Sequence, residues 1–160
     1  MGGVPRRHGA EIAALERIEK AAALRVFVDS SVWFAAANTR EHRNKRAKQL
    51  LLELNAPLTT DHVLVETWLL LNSRIHRHAA EQFRRGLRIG AVEVEKVTAA
   101  DLEAAWAIGE AFPDQAFSIV DRTSFALMER LGLTRAASFD DDFAVYRYGR
   151  GRDKAFEVLR

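Results

Sequence analysis

The chain has 160 residues, 48% of them hydrophobic, and carries a formal net charge of only +2. This length fits one domain with a sizeable core, and the ordinary apolar content argues against disorder. The absence of cysteine excludes a disulfide framework, a thiolate metal site and a cysteine nucleophile. The small basic excess permits nucleic acid as a partner but does not argue for it.

Neither a membrane span nor an export signal is expected from the sequence. No apolar run approaches the roughly 20 residues that cross a bilayer, and the first residues lack the apolar core of a signal peptide. We therefore expect a protein that acts in the cytoplasm and does not bind a membrane.

The first 24 residues differ in composition from the rest of the chain. Residues 10–23 are rich in alanine, glutamate and lysine, with isoleucine and leucine at helical spacing. The pattern predicts a helical extension over residues 1–24 and a separate domain over residues 25–160. The extension could dock on the domain, reach a partner, or result from a mis-assigned translation start.

Short apolar strands and helices alternate from Leu24 onward. The run LRVFVD is rich in β-branched residues and stops at an acid, as a buried parallel strand does. Further strands are predicted in the segments LTT, AVEVEKV, TRAASF and AFEVLR, with a helix start assigned to Asp61, Thr98 and Ser118. This alternation predicts an α/β domain, three layers in the order α/β/α, with a mainly parallel central sheet. Ligands bind such sheets beyond the carboxyl ends of the strands.

Three acids stand in apolar surroundings. Asp29 ends an apolar strand, Glu66 interrupts the run VLVETWLLL, and Asp121 follows FSIV. Burying a lone carboxylate costs several kcal/mol or raises its pKa, so such a position needs a compensating reason. Other acids, Glu41 among them, fall on predicted polar faces and need no special account.

A purely structural reason remains open for each of the three acids. Asp29 could cap the helix that starts at Ser30, and Glu66 could pair with an arginine. Asp121 lies three residues after Ser118, so the two residues could form a capping box.

A second reason is a shared metal site that also includes Asp140, which follows the fourth predicted strand. If the four carboxylates converge, their mutual repulsion demands a cation. Carboxylates without cysteine or clustered histidine favour Mg²⁺ or Mn²⁺. Such ions also bind phosphate oxygens and activate water, which is the chemistry of phosphodiester hydrolysis.

Four segments together make the chain recognisable. VDSSVW, VLVETW, FSIVDRTSFALMERLG and SFDDDF occur in this order over residues 25–160. The set resembles the PIN-domain ribonucleases, most closely the VapC toxins of bacterial toxin–antitoxin pairs. The resemblance implies a Mg²⁺- or Mn²⁺-dependent endoribonuclease that cleaves tRNA or ribosomal RNA, forms a homodimer and is restrained by a protein antitoxin.

The resemblance also implies roles for individual residues. Asp29 and Asp121 match the main metal ligands, and Glu66 and Asp140 match the acids that complete the catalytic pocket. A possible outer shell comprises Ser31, Asp114 and Asp142.

The arginines give weaker indications. Arg122 stands where a small residue is expected in this family, and it could pair with a pocket acid, contact RNA or weaken metal binding. Arg84 and Arg85 lie in a basic helix that could contact RNA phosphates. Arg122 keeps an alternative open, a degenerate PIN module that binds RNA or protein without catalysis. A phosphoacceptor signalling domain fits less well, because no lysine is suitably placed.

Overall fold

The computed structural model describes residues 6–90 and 92–160. The first five residues of the predicted extension, and Ala91 in the predicted third strand, lie outside the described residues. The described chain forms, in order, α1 (Arg6–Leu24), β1 (Val26–Val28), α2 (Ser30–Ala37), α3 (Asn44–Glu53), β2 (Pro57–Thr60), α4 (Asp61–Arg74), α5 (Arg77–Ile89), β3 (Glu93–Glu95), α6 (Ala99–Ala111), α7 (Ile119–Leu131), β4 (Arg135–Ala137), α8 (Asp142–Val145) and β5 (Glu157–Leu159).

The five strands form one sheet in the order β3-β2-β1-β4-β5. Every neighbouring pair is parallel, and Phe27 at the centre pairs with Leu58 of β2 and Ala136 of β4. The predicted α/β class and the predicted last edge strand are confirmed. The order of strands reverses between β1 and β4, and this switch point is where an open parallel sheet places a ligand site.

The central strand is short because the sequence supplies only one apolar run before Asp29. All three residues of β1 are buried. Phe27 stacks on Phe143 with ring centroids 5.7 Å apart, and Phe143 meets Phe125 of α7 at 5.0 Å. Full burial of each such ring contributes roughly 1.5–3 kcal/mol. This aromatic contact anchors α7 and α8 beside the carboxyl ends of β1 and β4.

The start of α4 corrects the predicted cap. Thr60, not Asp61, is the N-cap, since its extended backbone lets Oγ1 accept the Val63 N–H at 3.1 Å. Asp61 is instead the first helical residue, and its Oδ1 accepts the His62 and Val97 N–H groups at 3.0 Å. The carboxylate thus ties α4 to the segment that follows β3.

Helices α6 and α7 both begin with a capping box, at the helix starts assigned from the sequence to Thr98 and Ser118. Thr98 and Asp101 form the first box, and Ser118 and Asp121 form the second. Asp101 is buried and accepts two hydrogen bonds from Arg130 of α7, at 2.7 and 2.9 Å. The two helices are therefore joined by a bidentate ion pair as well as by packing.

Helix α1 covers residues 6–24, the described part of the predicted extension. Its apolar side chains are largely exposed, Ile12 by 53%, Leu15 by 59% and Ile18 by 65%. No helix among residues 6–90 and 92–160 is both long and apolar enough to span a membrane.

Candidate active site

Asp29 lies at the carboxyl end of β1 and is 98% buried, since only 2% of its surface is exposed. It is the N-cap of α2, and its Oδ2 accepts the Ser31 N–H at 3.2 Å. The same oxygen accepts the hydroxyls of Ser31 at 2.6 Å and Ser138 at 3.0 Å. Among the described residues, Oδ1 has only a long contact of 3.5 Å with the Ser30 hydroxyl. One carboxylate oxygen is therefore held in place, and the other is left for a further ligand.

Two hydroxyl groups join Asp29 to the segment after β4. Ser31 Oγ accepts the Phe139 N–H at 2.9 Å, and Ser138 Oγ accepts the Asp140 N–H at 3.1 Å. Each hydroxyl therefore donates to Asp29 and accepts from the chain that carries Asp140. This network aligns the first and fourth acids of the predicted set.

Glu66 lies in the second turn of α4 and is partly buried. Burial raises the pKa of its carboxyl, and the negative charges of Asp29 and Asp140 raise it further. The nearby Ser30 hydroxyl acts in the opposite direction but does not cancel these effects. Within the described residues Glu66 forms no salt bridge, so the proposed pairing with an arginine is not seen.

Asp121 serves the helix start and the pocket at once. Its Oδ2 accepts the Ser118 N–H at 2.7 Å, while its own N–H donates to Ser118 Oγ at 3.0 Å. Burial raises the pKa of Asp121 to about 7, with further contributions from the charges of Asp29 and Asp142. The capping box and the pocket role are therefore compatible, because the box uses only one carboxylate oxygen.

Asp140 follows β4 and faces the same group of charges. Burial of its carboxylate raises the pKa, and Asp29 and Asp142 raise it further. The Arg43 guanidinium lowers the pKa less than these effects raise it. Arg43 itself donates to the Phe139 carbonyl at 3.1 Å and lies over the Phe139 ring at 5.2 Å. It holds the segment that carries Asp140.

These acids meet in a pocket of about 480 Å³, here called the acidic pocket. Asp29 is buried beside the pocket, where it accepts a hydrogen bond from the lining residue Ser31, and its charge acts on Glu66, Asp121 and Asp140. The pocket is lined by Ser30, Ser31, Phe34, Glu41, Arg43, Glu66, Leu70, Arg74, Ala116, Ser118, Asp121, Phe139, Asp140 and Asp142. The structure thus brings together the four acids, Ser31 and Asp142 from four separate parts of the chain.

Four of the predicted residues lie elsewhere. Asp114 is exposed in the turn after α6 and does not line the acidic pocket. Arg84 and Arg85 are exposed on α5, also outside the pocket. Arg122 points away from the acids, towards α6, where a Cβ built on Gly109 would come within 2.3 Å of Arg122 Nη1. Glycine at position 109 leaves room for the Arg122 side chain, and among the described residues no salt bridge joins Arg122 to a pocket acid.

Four residues of the site were not predicted in their observed roles. Ser138 bonds to Asp29, and Arg43, Glu41 and Arg74 line the acidic pocket. A hydroxyl near the carboxyl end of a predicted strand, as in the segment TRAASF, is a signal that could have identified Ser138. The other three offer no local signal, because charged residues near helix ends are usually solvated.

The donor chemistry of the pocket fits a hydrated divalent cation. Within the described ranges, no group of three or more His, Asp and Glu side chains stands close enough to hold an ion directly. Mg²⁺ usually keeps several waters and uses only one or two carboxylates, so a looser set of acids suits it. Burial is the main cause of the raised pKa values of Glu66, Asp121 and Asp140, and neighbouring negative charges, which a cation would neutralise, raise them further.

Comparisons with known proteins agree with this architecture. The chain is 40% identical over 121 residues to the 23S rRNA-specific endonuclease VapC20 of Mycobacterium tuberculosis, covering 74% of this chain and 92% of the relative. The crystal structure of M. tuberculosis VapC20, a sarcin–ricin loop cleaving toxin, matches with a TM-score of 0.70 at 39% identity, over 74% of this chain and 92% of that one.

A toxin–antitoxin complex from Klebsiella pneumoniae shares the fold at 15% identity, with a TM-score of 0.57 over 75% of this chain and 91% of that one. The family model of the PIN domain matches residues 26–148, which include all four acids. The resemblance seen in the sequence is confirmed, and the chain belongs to the PIN-domain family.

Proposed function

We propose that this protein is an endoribonuclease that uses a divalent metal, Mg²⁺ or Mn²⁺, to hydrolyse RNA phosphodiester bonds. The observation that carries the proposal is the acidic pocket, which Glu66, Asp121 and Asp140 line together. Burial raises the pKa of these three carboxyls, and the charge of Asp29 raises it further. Membership of the PIN-domain family and the likeness to an rRNA endonuclease support the same activity.

The acids of the site would have different roles in the reaction. Asp29 would hold the cation through Oδ1, since Oδ2 is occupied by hydrogen bonds from Ser31 and Ser138. Asp121 would hold it through the oxygen that the capping box leaves free. Glu66 and Asp140 would orient the attacking water. When bound, the cation would neutralise these acids and stabilise negative charge on the scissile phosphate.

The identity to VapC20 extends the proposal to substrate and partners. We take 23S ribosomal RNA as the substrate, within the wider class of tRNA and rRNA expected from the sequence. The protein would act in the cytoplasm as a toxin, restrained by a protein antitoxin. It would form a homodimer, for which exposed Val65 and Leu69, one turn apart on α4, offer an apolar contact.

The alternative of a degenerate PIN module loses the observation that favoured it. That alternative rested on Arg122 entering the site, and Arg122 lies against α6 instead. The acids expected for catalysis remain around the acidic pocket.

A cleavage assay tests the proposal. Purified protein is incubated with total RNA in Mn²⁺, in Mg²⁺, or in excess chelator. We expect discrete RNA fragments with either metal and none with chelator. Asp29→Asn should lower the initial rate at least about 100-fold, because it removes a charged metal ligand.

Asp153→Asn is the matched control, since Asp153 is exposed and lies outside the acidic pocket. It should cleave at the wild-type rate. Cleavage that persists in chelator, or in Asp29→Asn, would contradict the metal mechanism. Absence of cleavage under all conditions would favour the non-catalytic module.

A further inference from the structure

A second concave surface adjoins the acidic pocket. It has a volume of about 580 Å³ and is here called the basic cleft. It is formed by the chain after α2, the junction of α4 and α5, and the first turns of α5. Its lining comprises Ala37, Asn38, Thr39, Arg40, Arg74, Ile75, His76, His78, Ala79, Gln82 and Phe83.

The charge of the basic cleft is opposite to that of the acidic pocket. Arg40 and Arg74 supply two cations, and no acid appears in the lining. No carboxylate among the described residues forms a salt bridge with either arginine. Unpaired arginines on a concave surface attract phosphates, which supply most of the affinity for nucleic acid.

Arg74 connects the two surfaces because it lines both. Its Cζ lies 5.8 Å from the ring centroid of Phe34, which also lines the acidic pocket. The aromatic ring favours this position of the guanidinium. A strand that leaves the acidic pocket on this side would meet Arg74 first and Arg40 beyond it.

The cleft also presents neutral hydrogen-bond donors. His76 Nδ1 accepts the Ala79 N–H at 3.1 Å, so the neutral ring carries its proton on Nε2. His78 Nε2 lies 3.0 Å from Gln82 Nε2. Donors of this kind suit phosphate and sugar oxygens, which carry most of the hydrogen bonds in nucleic-acid complexes.

We propose that the basic cleft holds the phosphates of the RNA strand on one side of the scissile bond, with Arg74 and Arg40 as the principal contacts. This inference rests on the proposed function, since it assigns a path to the RNA that the acidic pocket would cut. The cleft supplies the attraction that a pocket lined by acids lacks. It explains how a protein with a net charge of only +2 can bind a polyanion.

The test measures binding of a fluorescein-labelled single-stranded RNA by anisotropy in EDTA, over a range of salt concentrations. Arg40→Gln/Arg74→Gln should raise Kd about tenfold. It should reduce the slope of log K against log salt by about 1.4, since each lost phosphate contact contributes about 0.7. Arg40→Lys/Arg74→Lys keeps both charges and should restore most of the slope.

The matched control is Arg88→Gln/Arg150→Gln, which removes two exposed arginines outside both surfaces. Its Kd should change less than twofold. Equal losses in both double variants would overturn the proposal, because net charge alone would then explain binding. Weakened binding of a polyglutamate peptide with unchanged RNA affinity would also overturn it in favour of an acidic protein partner.

RNA binding by the basic cleft and RNA cleavage by the acidic pocket can each be refuted without the other. Binding that depends on Arg40 and Arg74 without cleavage in Mn²⁺ would support the cleft and refute the nuclease. Cleavage with RNA binding unaffected by the double variant would support the nuclease and refute the cleft.

Discussion

Asp29 serves structure and chemistry at the same time through its two oxygens. Oδ2 caps α2 and accepts the hydroxyls of Ser31 and Ser138. Oδ1 is left with a single long contact within the part of the chain that the structure describes. Asp121 follows the same scheme, with Oδ2 in a capping box. A carboxylate fixed through one oxygen is pre-oriented, so less entropy is lost when the other oxygen takes a ligand.

The hydroxyl network leads to a prediction for Ser31 and Ser138. Ser31→Ala or Ser138→Ala should lower Mn²⁺ affinity or cleavage rate about 10- to 100-fold, because residues that orient a metal ligand typically have effects of this size. Mn²⁺ titrations of the initial rate provide the measurement. Ser73→Ala, at an exposed residue on α4, is the control and should match wild type.

The pKa of Asp121 predicts how stability depends on pH without metal. Its pKa is about 7 in the folded protein and near 3.8 when unfolded, so the folded state binds the proton more tightly. The carboxyl therefore destabilises the fold increasingly as the pH rises from 3.8 to 7, and fully above 7. In EDTA, Tm should fall by about 5 °C between pH 5 and pH 8.

Asp121→Asn should remove most of this fall in Tm, because the amide does not ionise. A wild-type Tm that stays level or rises over the same range would refute the assigned repulsion. Added Mn²⁺ should raise Tm more at pH 8 than at pH 5, since metal ligands must be deprotonated.

The acids of the site could be predicted from the sequence, but some of the residues that surround them could not. Asp29, Glu66 and Asp121 could be identified because apolar neighbours along the chain make an acid costly. Arg43 could not be, because its partner Phe139 lies 96 residues away and only the folded sheet brings them together. Asp114 was expected from resemblance, and its exposed position depends on how the chain leaves α6.

At the scale of elements, the same local motif, a capping box, starts both α6 and α7, but the acid of each box has different surroundings. Thr98 and Asp101 start α6, where Asp101 pairs with Arg130. Ser118 and Asp121 start α7, where Asp121 faces the acidic pocket. The sequence motif is similar in both helices, so the pocket role comes from position at the switch point of the sheet.

This comparison yields a matched pair of variants. Thr98→Ala and Ser118→Ala should each lower the free energy of unfolding by about 1 kcal/mol, the usual cost of a lost N-cap. Only Ser118→Ala should weaken Mn²⁺ binding, because its cap also orients Asp121. Urea unfolding and Mn²⁺ titration measure the two effects. Equal changes in metal affinity would show that the box has no link to the site.

Helix ends are easiest to locate in a sequence where a residue has a strong conformational preference. Gly132 ends α7 in the left-handed conformation, with φ of 66°, as a glycine does at this position. The start of α4 was placed one residue late, since Thr60 and Asp61 are both good caps and the choice depends on the loop after β3. Strand order could not be derived from alternation alone.

At the scale of the whole molecule, the sheet places the chemistry. Asp29 follows β1 and Asp140 follows β4, and these strands are adjacent although 107 residues separate Val28 from Arg135 in numbering. The acidic pocket and the basic cleft adjoin at Arg74. Together they form one continuous surface, in which the acidic pocket would cleave the RNA and the basic cleft would bind its phosphates.

The boundary at residue 25 remains a prediction. A variant that begins at Arg25 should cleave RNA at the wild-type rate and lose less than about 3 °C in Tm, because the apolar residues of α1 are largely exposed. Deletion of residues 157–160 should instead destabilise the protein strongly, since β5 pairs with β4 throughout its length. Loss of folding in the first variant would show that α1 belongs to the domain.

The most direct test of the central claim is to map new 5′ ends in 23S rRNA by primer extension, after ribosomes are incubated with the protein and Mn²⁺. We expect one dominant new end with the wild-type protein, and none with Asp29→Asn or with excess chelator. No new end with the wild-type protein, or the same end in chelator, would contradict a metal-dependent endoribonuclease centred on the acidic pocket.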